Sequence, residues 1–344
     1  MWFWEKGSDL GIDLGTATIL VYMKGKGIVL KEPSVVAINK NTGKVLAVGE
    51  EARKMIGRTP GNIIAVRPLK DGVISNYDVT EKMLQEIIGK VCGNKKIITP
   101  NVIVCIPSMA TEVEKRAVID AAKNSGAKDV HLIEEPLAAA IGAGLDITRP
   151  NGCMIVDIGG GTCDIAVISL GGIVERVSIK AAGDKFDEAI IRYVRNTYKL
   201  MIGEKTAEEI KIAIGSVFED EYDSTAIIRG RNMLTGLPDD LKISSQEIRD
   251  ALKETVNMIV EGVKSTLEKT PPELISDIIE NGIILTGGGA LIHGLDKLIS
   301  IETGLEVEIA KNSIEAVAEG TGMVLQYINK IDSSARSKEL ILIS

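Results

Sequence analysis

Three glycine-rich turns, each directly after a short apolar stretch, constrain the fold of this chain most strongly. The first two are Gly11–Thr16 and Val156–Thr162, and each contains one aspartate, Asp13 or Asp157. The third, Thr286–Ala290, lies near the end of the chain. Short apolar runs that stop at glycine predict buried strands ending in tight turns. The chain is therefore expected to place three such turns at the ends of strands.

Glycine turns of this kind suit phosphate, because the backbone can approach an anion without a Cβ in the way and point its N–H groups at it. Two aspartates facing across one cleft would supply oxygens, directly or through water, for a magnesium ion that accompanies a nucleotide. A single turn of this type is often only a β-turn. Three of them favour a nucleotide cleft between two similar halves. The sequence contains neither a P-loop nor the Rossmann glycine spacing after its first strand.

Composition narrows the functional classes. The 344 residues suggest two domains. The net charge is −8, and no basic block stands out, so nucleic-acid binding is not expected. None of the four cysteines forms a Cys-x-x-Cys pair, which favours buried, reduced thiols in a cytoplasmic protein. The two histidines are too scattered for a zinc site, and no apolar run reaches the ~18 residues of a membrane-spanning helix.

The N-terminus carries an unusual aromatic cluster. Trp2, Phe3 and Trp4 stand together in a chain that is only 3% aromatic. This segment is either a tail that docks on its own domain or a short anchor at a membrane surface, where tryptophan is favoured.

The periodic pattern predicts strand hairpins followed by helices, twice over, which indicates a duplicated α/β architecture. The first half ends near Leu145 and the second restarts with a strand at Met154. A capping box of Ser244 and Glu247 opens a long amphipathic helix that reaches about Lys269. Further helices are predicted at Thr111–Ser125, with Val113 among its core residues, at Leu291–Ser300 and at Ile314–Gln326.

Four further stretches carry a resemblance to a known family: Lys31–Ala37, Met55–Gly61, Arg67–Val73 and Glu134–Ala140. Together with the glycine turns they resemble the MreB/Mbl branch of the actin-like ATPase superfamily, over nearly the whole chain. The resemblance implies a duplicated actin-like (ribonuclease-H-like) α/β fold, with two domains of two subdomains around a central nucleotide cleft.

The implied domain boundaries follow from the same resemblance. The first domain would be 1–145, with a small subdomain at about 33–66, and would be completed by a C-terminal helix at about 314–344. The second domain would be 146–313, with a small subdomain at about 181–244.

The resemblance also implies the cofactors, ATP and Mg²⁺, and their contacts. Asp13 and Asp157 would organise magnesium, through water, and take part in catalysis. Glu208 and Lys211 would flank the base and ribose, although from the residues alone they read as a solvated helix pair worth only ~0.2–0.5 kcal/mol. The phosphates would be held by Thr16, Ala17, Thr18, Gly159, Gly160, Gly161 and Thr162. The nucleoside side would be lined by Gly287, Gly288, Gly289 and Ala290.

Glu135 resembles the residue with which the family positions the attacking water. The chemistry needs an oxygen acceptor at the γ-phosphate end of the cleft. Alternatively, a carboxylate here could interact favourably with the positive N-terminal end of the dipole of the helix that follows Pro136. Glu134 competes for the role, but the match to the family's Glu-Pro pair favours Glu135.

Two residues depart from the family pattern beside the phosphates. Thr18 stands where asparagine is usual, and Cys163 stands where a second threonine is usual. These changes are expected to affect the hydrolysis rate or metal geometry rather than the fold.

The function implied by the resemblance is a cytoskeletal ATPase that forms filaments of its own copies at the inner face of the cytoplasmic membrane and works with cell-wall elongation proteins. Trp2, Phe3 and Trp4 would touch the membrane. Ile97 and Ile98 would add to this contact or simply continue the next strand. A sugar or small-metabolite kinase and a chaperone-type ATPase are the alternatives on the same fold. Against them, the chain leaves little room for substrate-binding insertions, and no peptide-binding domain follows.

Overall fold

The elements of the chain fall into two series, each of strands followed by helices. The structure is a computed structural model that describes residues 9–93 and 99–326. The strands of the first series are β1 (Leu10–Leu14), β2 (Thr18–Met23), β3 (Gly27–Pro33), β4 (Val36–Asn39), β5 (Val45–Val48), β6 (Ile63–Val66), β7 (Leu69–Lys70), β8 (Val73–Ile74), β9 (Val102–Ile106) and β10 (Val130–Glu134). Its helices are α1 (Glu50–Arg53), α2 (Tyr77–Cys92), α3 (Glu112–Asn124) and α4 (Glu135–Gly142).

The second series repeats this plan. Its strands are β11 (Cys153–Ile158), β12 (Cys163–Ser169), β13 (Gly172–Ile179), β14 (Leu200–Met201), β15 (Thr225–Asn232), β16 (Pro238–Ser244), β17 (Ile283–Thr286) and β18 (Val307–Ile309). Its helices are α5 (Gly183–Tyr198), α6 (Glu204–Ile214), α7 (Ser245–Lys269), α8 (Pro272–Asn281), α9 (Leu295–Thr303) and α10 (Ala316–Val324). A 3₁₀ turn covers Gly288–Leu291.

Two five-stranded sheets share one topology. The first has the order β3-β2-β1-β9-β10 and the second β13-β12-β11-β17-β18. In both, three consecutive strands form an antiparallel meander, and the first strand of the meander pairs in parallel with a strand that returns after a long connection. The predicted duplication of an α/β unit is thus confirmed. The predicted domain boundaries stay predictions.

Helices α4 and α10 cross between the two sheets, and only small residues allow their close approach. A Cβ built on Gly320 would lie 1.8 Å from the carbonyl oxygen of Ala138, and one built on Gly142 would lie 1.8 Å from that of Ala316. Buried side chains of both sheets, such as Ile103 and Ile155, form one apolar cluster with these helices. The core therefore continues from one half into the other beneath the cleft.

Local signals fix several helix starts. Ser244 accepts a hydrogen bond from the Glu247 N–H, and the Glu247 carboxylate accepts from the Ser244 N–H, so the predicted capping box is confirmed. Thr111 and Glu114 form a second box at the start of α3. Pro136 occupies the first turn of α4, where its missing N–H costs no intrahelical bond.

Two sequence predictions were wrong in detail, and helix α8 was not predicted. Val113 is 78% exposed rather than in the core, because it precedes the buried face of α3. The helix predicted from Leu291 begins only at Leu295, after Gly294 adopts a left-handed conformation with φ of 79°. Pro271 and Pro272 follow soon after the end of the long helix, and Pro272 opens α8, which the sequence pattern did not predict. Within the described residues, no helix is long and apolar enough to cross a membrane.

Candidate functional site

The equivalent strands of the two sheets, β1 and β11, end at one central cavity. Asp13 and Asp157 are each the last residue but one of their strand. The cavity has a volume of about 310 Å³, within the usual range for a small-ligand site. Its lining includes most of the predicted site residues: Asp13, Thr16, Ala17, Thr18, Glu135, Asp157, Gly159, Gly160, Gly161, Thr162, Glu208, Lys211, Gly287, Gly288 and Gly289.

The remaining predicted residues lie elsewhere. The Ala290 side chain is fully buried in the core of the second half instead of lining the cavity, because the 3₁₀ turn directs it inward. The Cys163 side chain is buried in the same core, behind the cavity wall. Trp2, Phe3, Trp4, Ile97 and Ile98 lie outside the described residues, so their predicted membrane contact is not tested.

The first two glycine turns contact each other across the cavity. A Cβ on Gly160 would lie 2.6 Å from the Cβ of Ala17, and a Cβ on Gly161 would lie 2.5 Å from Thr16 Oγ1. Thr16 Oγ1 in turn accepts a 2.9 Å hydrogen bond from the Gly72 N–H. Only glycine fits this approach, and the resulting cradle of backbone groups is of the kind that binds phosphate.

The third glycine turn packs on the end of β11. Gly287 has a φ of 80°, and a Cβ there would lie 2.2 Å from the carbonyl oxygen of Ile158. The Gly287 N–H donates to the carbonyl of Ser313 at 2.8 Å. The strand before it contributes Thr286, whose hydroxyl donates to Asp157 Oδ1 at 2.8 Å. The turn therefore both shapes the cavity wall and orients one of the two aspartates.

Asp13 and Asp157 form an uncompensated acidic pair. Burial, together with the smaller effect of the Asp157 charge, raises the pKa of Asp13 to about 8. Burial also raises the pKa of Asp157 to about 7, although the Thr286 hydrogen bond opposes the change. Raised carboxyl pKa values mark a place where a cation would be bound favourably.

Glu135 lies beside this pair, at the start of α4, and is 8% exposed. Burial raises its pKa well above the usual range, with the charges of Asp164, Asp157 and Asp13 adding to the effect. Its neighbour Glu134 is held by Arg176 instead and does not line the cavity. The geometry therefore supports Glu135 over Glu134 as the acceptor for a cavity water.

Glu208 and Lys211 are held by partners rather than solvated as a simple helix pair. Glu208 Oε2 lies 2.6 Å from Arg53 Nη2, across the cavity. Lys211 Nζ lies 2.8 Å from Asp187 and donates to the Gly183 carbonyl at 3.0 Å. Both side chains line the cavity, as the proposed contact with base and ribose requires.

The sequence analysis missed several residues of this site. Arg53, Arg67, Asp184 and Asp187 line the cavity, and Ile212 adds an apolar side chain that is 75% exposed. Arg67 lies in one of the stretches that carried the family resemblance, which was the available signal. For the others, nothing in the local pattern distinguished them from surface residues.

The residues present fit a magnesium–nucleotide complex. Among the described residues, no three His, Cys, Asp or Glu side chains could hold a metal ion by themselves. Magnesium, however, usually takes only one or two carboxylates and completes its shell with water and phosphate oxygens. Asp13 and Asp157 lie beside the glycine turns, and within the part of the chain that the structure describes no positively charged side chain balances their carboxylates. They match that requirement and are the residues that would hold the ion.

Comparisons with known proteins agree with this geometry. The chain is 55% identical to the cell shape-determining protein Mbl of Bacillus subtilis, covering 94% of this chain and 97% of that one. It is 51% identical to the cell shape-determining protein MreB of Escherichia coli K12, covering 96% and 97%.

Solved structures show the same fold. MreB5 of Spiroplasma citri bound to AMPPNP superimposes with a TM-score of 0.89 at 42% identity, covering 95% of this chain and 98% of that one. The MamK double helical filament matches in fold, with a TM-score of 0.79 at 23% identity and coverage of 93% and 98%. The predicted actin-like fold is thus confirmed.

The family model described as MreB/Mbl protein matches residues 7–333. This range includes the three glycine turns and the cavity between them. The predicted family is therefore confirmed: the chain belongs to the MreB/Mbl family.

Proposed function

We propose that this chain binds magnesium–ATP in the central cavity, hydrolyses it, and polymerises into filaments that organise cell shape. Relatives at 51–55% identity are named cell shape-determining proteins. The MreB5 protein of Spiroplasma citri has been solved with AMPPNP and with ADP. The observation that carries the proposal is the meeting of two glycine turns, an acidic pair and Glu135 in one cavity.

Each group has a distinct part in the proposed reaction. The backbone of Gly159–Gly161 and the loop at Thr16–Thr18 bind the phosphates. Bound magnesium would neutralise phosphate charge and lower the pKa values of Asp13 and Asp157 so that both are ionised. Glu135 accepts a hydrogen bond from the attacking water and aligns it with the γ-phosphate, and the walls of the cavity exclude other water.

Filaments and membrane contact complete the proposal. Self-assembly is supported by family membership and by the shared fold of the MamK filament. We propose that filaments lie at the inner face of the cytoplasmic membrane and guide cell-wall elongation proteins. Trp2, Phe3 and Trp4 are the proposed contact residues, with Ile97 and Ile98 as a second apolar site.

A substitution of Glu135 tests the chemistry. Water positioning acts in the transition state, whereas phosphate contacts act in the ground state. We expect Glu135→Ala to reduce phosphate release roughly 10²-fold while ATP binding and pelleting persist. Glu134→Ala is the matched control and should retain phosphate release. A Glu135→Ala protein that releases phosphate at the wild-type rate would remove Glu135 from this role.

Sedimentation tests the assembly. We expect the full chain with magnesium–ATP to pellet from solution, and to co-pellet with liposomes that contain anionic lipid. Without nucleotide, both fractions should fall. A protein that hydrolyses ATP only when a sugar is added, and never pellets, would contradict the filament proposal and favour the kinase alternative.

A further inference from the structure

Ion pairs between the two halves lie along the solvent-facing side of the cavity. Arg53 Nη2 is 2.6 Å from Glu208 Oε2, and Arg67 Nη1 is 2.7 Å from Asp184 Oδ1. Arg67 Nη2 also lies 3.9 Å from Glu204. Both arginines belong to the first series of elements and all three carboxylates to the second. These pairs therefore cross the cleft.

The links at the bottom of the cleft are of a different kind. Asp164 and Ser108 join the two halves there, with the Ser108 N–H and hydroxyl donating to Asp164 Oδ1 at 2.9 and 2.7 Å. Both residues are buried, whereas the side chains of Arg53 and Glu208 are 36% and 27% exposed. Breaking a buried hydrogen bond is costly, because water does not solvate the separated donor and acceptor. Separating a partly exposed ion pair costs little, because water solvates both charges. The cleft should therefore open at its outer side and hinge at its base.

The outer pairs are also joined to the phosphate turn. The Asp184 N–H donates to the Gly160 carbonyl at 2.8 Å, and the Gly183 N–H donates to the Gly159 carbonyl at 3.1 Å. The side chain of the same Asp184 holds Arg67. Asp184 therefore links the phosphate turn to the cross-cleft ion pair, so binding or loss of a phosphate group at this turn should affect that pair.

We propose that Arg53–Glu208 and Arg67–Asp184 form an electrostatic latch that sets the rate at which nucleotide leaves the cavity. This inference rests on the proposed binding of nucleotide and adds its regulation. All four latch residues line the same cavity as the glycine turns, so a ligand held against those turns lies in a cavity that the latch spans. Opening the cleft requires both pairs to separate. The latch therefore slows exchange.

The release rate of a fluorescent ADP analogue from the full chain tests the latch. Reversing one charge replaces attraction by repulsion, so Arg53→Glu and Arg67→Glu should each release the analogue about three- to tenfold faster. Arg53→Gln should give a smaller acceleration and serves if Arg53→Glu does not fold. The swap Arg67→Glu with Asp184→Arg restores an opposite-charge pair and should return the rate towards that of the wild type.

Lys264 provides the matched control. Its 2.5 Å pair with Glu302 has similar exposure but joins two helices of the same half, so Lys264→Glu should leave release unchanged. Added salt should accelerate release from the wild type and from Lys264→Glu by screening the latch, and should accelerate release from Arg53→Glu much less.

The outcomes separate the latch from the proposed function. If the wild type binds no nucleotide, the proposed function is refuted and the latch with it. If nucleotide binds but Arg53→Glu and Arg67→Glu release it at the control rate, the latch alone is refuted. A charge swap that releases as fast as Arg67→Glu also overturns it, because the pairing would then not matter.

Discussion

The crossing of α4 and α10 allows a sharp test of how the fold supports the site. A Cβ on Gly320 would lie 1.8 Å from the Ala138 carbonyl oxygen and 2.8 Å from the Gly142 nitrogen. These are backbone atoms of a neighbouring helix, so no side-chain rotation relieves the clash. Overpacking costs typically 1–3 kcal/mol, and the better helix propensity of alanine returns about 1 kcal/mol. Taking the upper end of that range, we expect Gly320→Ala to lose about 2 kcal/mol or more.

Gly89 supplies the control, because it lies within α2 with no atom within 4 Å of a built Cβ. Gly89→Ala should gain about 0.5–1 kcal/mol from the lower entropy of the unfolded chain. Denaturant unfolding followed by circular dichroism compares the two variants with the wild type. Equal stability of Gly320→Ala and Gly89→Ala would refute the argument that the helices are in backbone contact.

The same substitution should disturb the proposed chemistry. Relieving a 1.8 Å contact moves α4 by more than an ångström relative to α10, and α4 begins at Glu135. A displacement of about 1 Å at a positioning group can cost about 10²-fold in rate. We therefore expect phosphate release by Gly320→Ala to fall more than ATP affinity does. A fall in affinity alone would place the effect on binding instead.

Further predictions concern the acids and the N-terminus. Asp157→Ala should weaken magnesium–ATP binding at least about tenfold, or ~1.4 kcal/mol, by calorimetry. In the folded protein without ligand, Asp13 keeps its proton up to about pH 8, whereas in the unfolded chain the same side chain loses its proton above its ordinary pKa of 3.8. The folded state therefore binds one proton more, and this group alone should lower the free energy of unfolding by about 1.4 kcal/mol per pH unit between about pH 5 and 7. Asp13→Asn should remove that slope in denaturant titrations. Deleting Trp2–Trp4 should abolish liposome co-sedimentation but not polymerisation, since many weak apolar contacts add along a filament. Equal lipid binding by the truncated protein would contradict the anchor.

Local rules predicted much of the fold. The capping box of Ser244 and Glu247, and the glycine turns after apolar strands, depend on residues close in sequence, and their positions were confirmed. The start of α9 was mispredicted because Gly294 adopts a left-handed conformation directly before it. The exposure of Val113 was mispredicted because apolar spacing on a helix does not say which end of its face meets the core.

Other parts of the site could not be predicted from the sequence, because they form only where segments distant in the chain come together. Arg53 and Glu208 are 155 residues apart, and no local pattern marks either as a partner across a cleft. Asp164 is fully buried on β12 and bonds to Ser108, so its role at the base of the cleft arises only once the two sheets meet. The family resemblance predicted Cys163 beside the phosphates, yet its side chain is buried in the core of the second half.

Charge is distributed unevenly within the cavity. The lysines and arginines that line it are each paired with a carboxylate: Lys31 with Glu315, Arg53 with Glu208, Arg67 with Asp184 and Lys211 with Asp187. Among the described residues, no lysine or arginine pairs with Asp13, Asp157 or Glu135. The base of the cavity is therefore acidic.

An acidic base has a consequence for the ligand. Free ATP carries several negative charges and would meet uncompensated carboxylates next to the glycine turns, where the low local dielectric strengthens repulsion. In the proposed site, the complex with magnesium would bring the missing cation to Asp13 and Asp157 together with the phosphates. Magnesium–ATP should therefore bind in preference to free ATP. We expect this preference because the basic side chains that line the cavity are each paired with a carboxylate, which would leave the phosphates to backbone N–H groups.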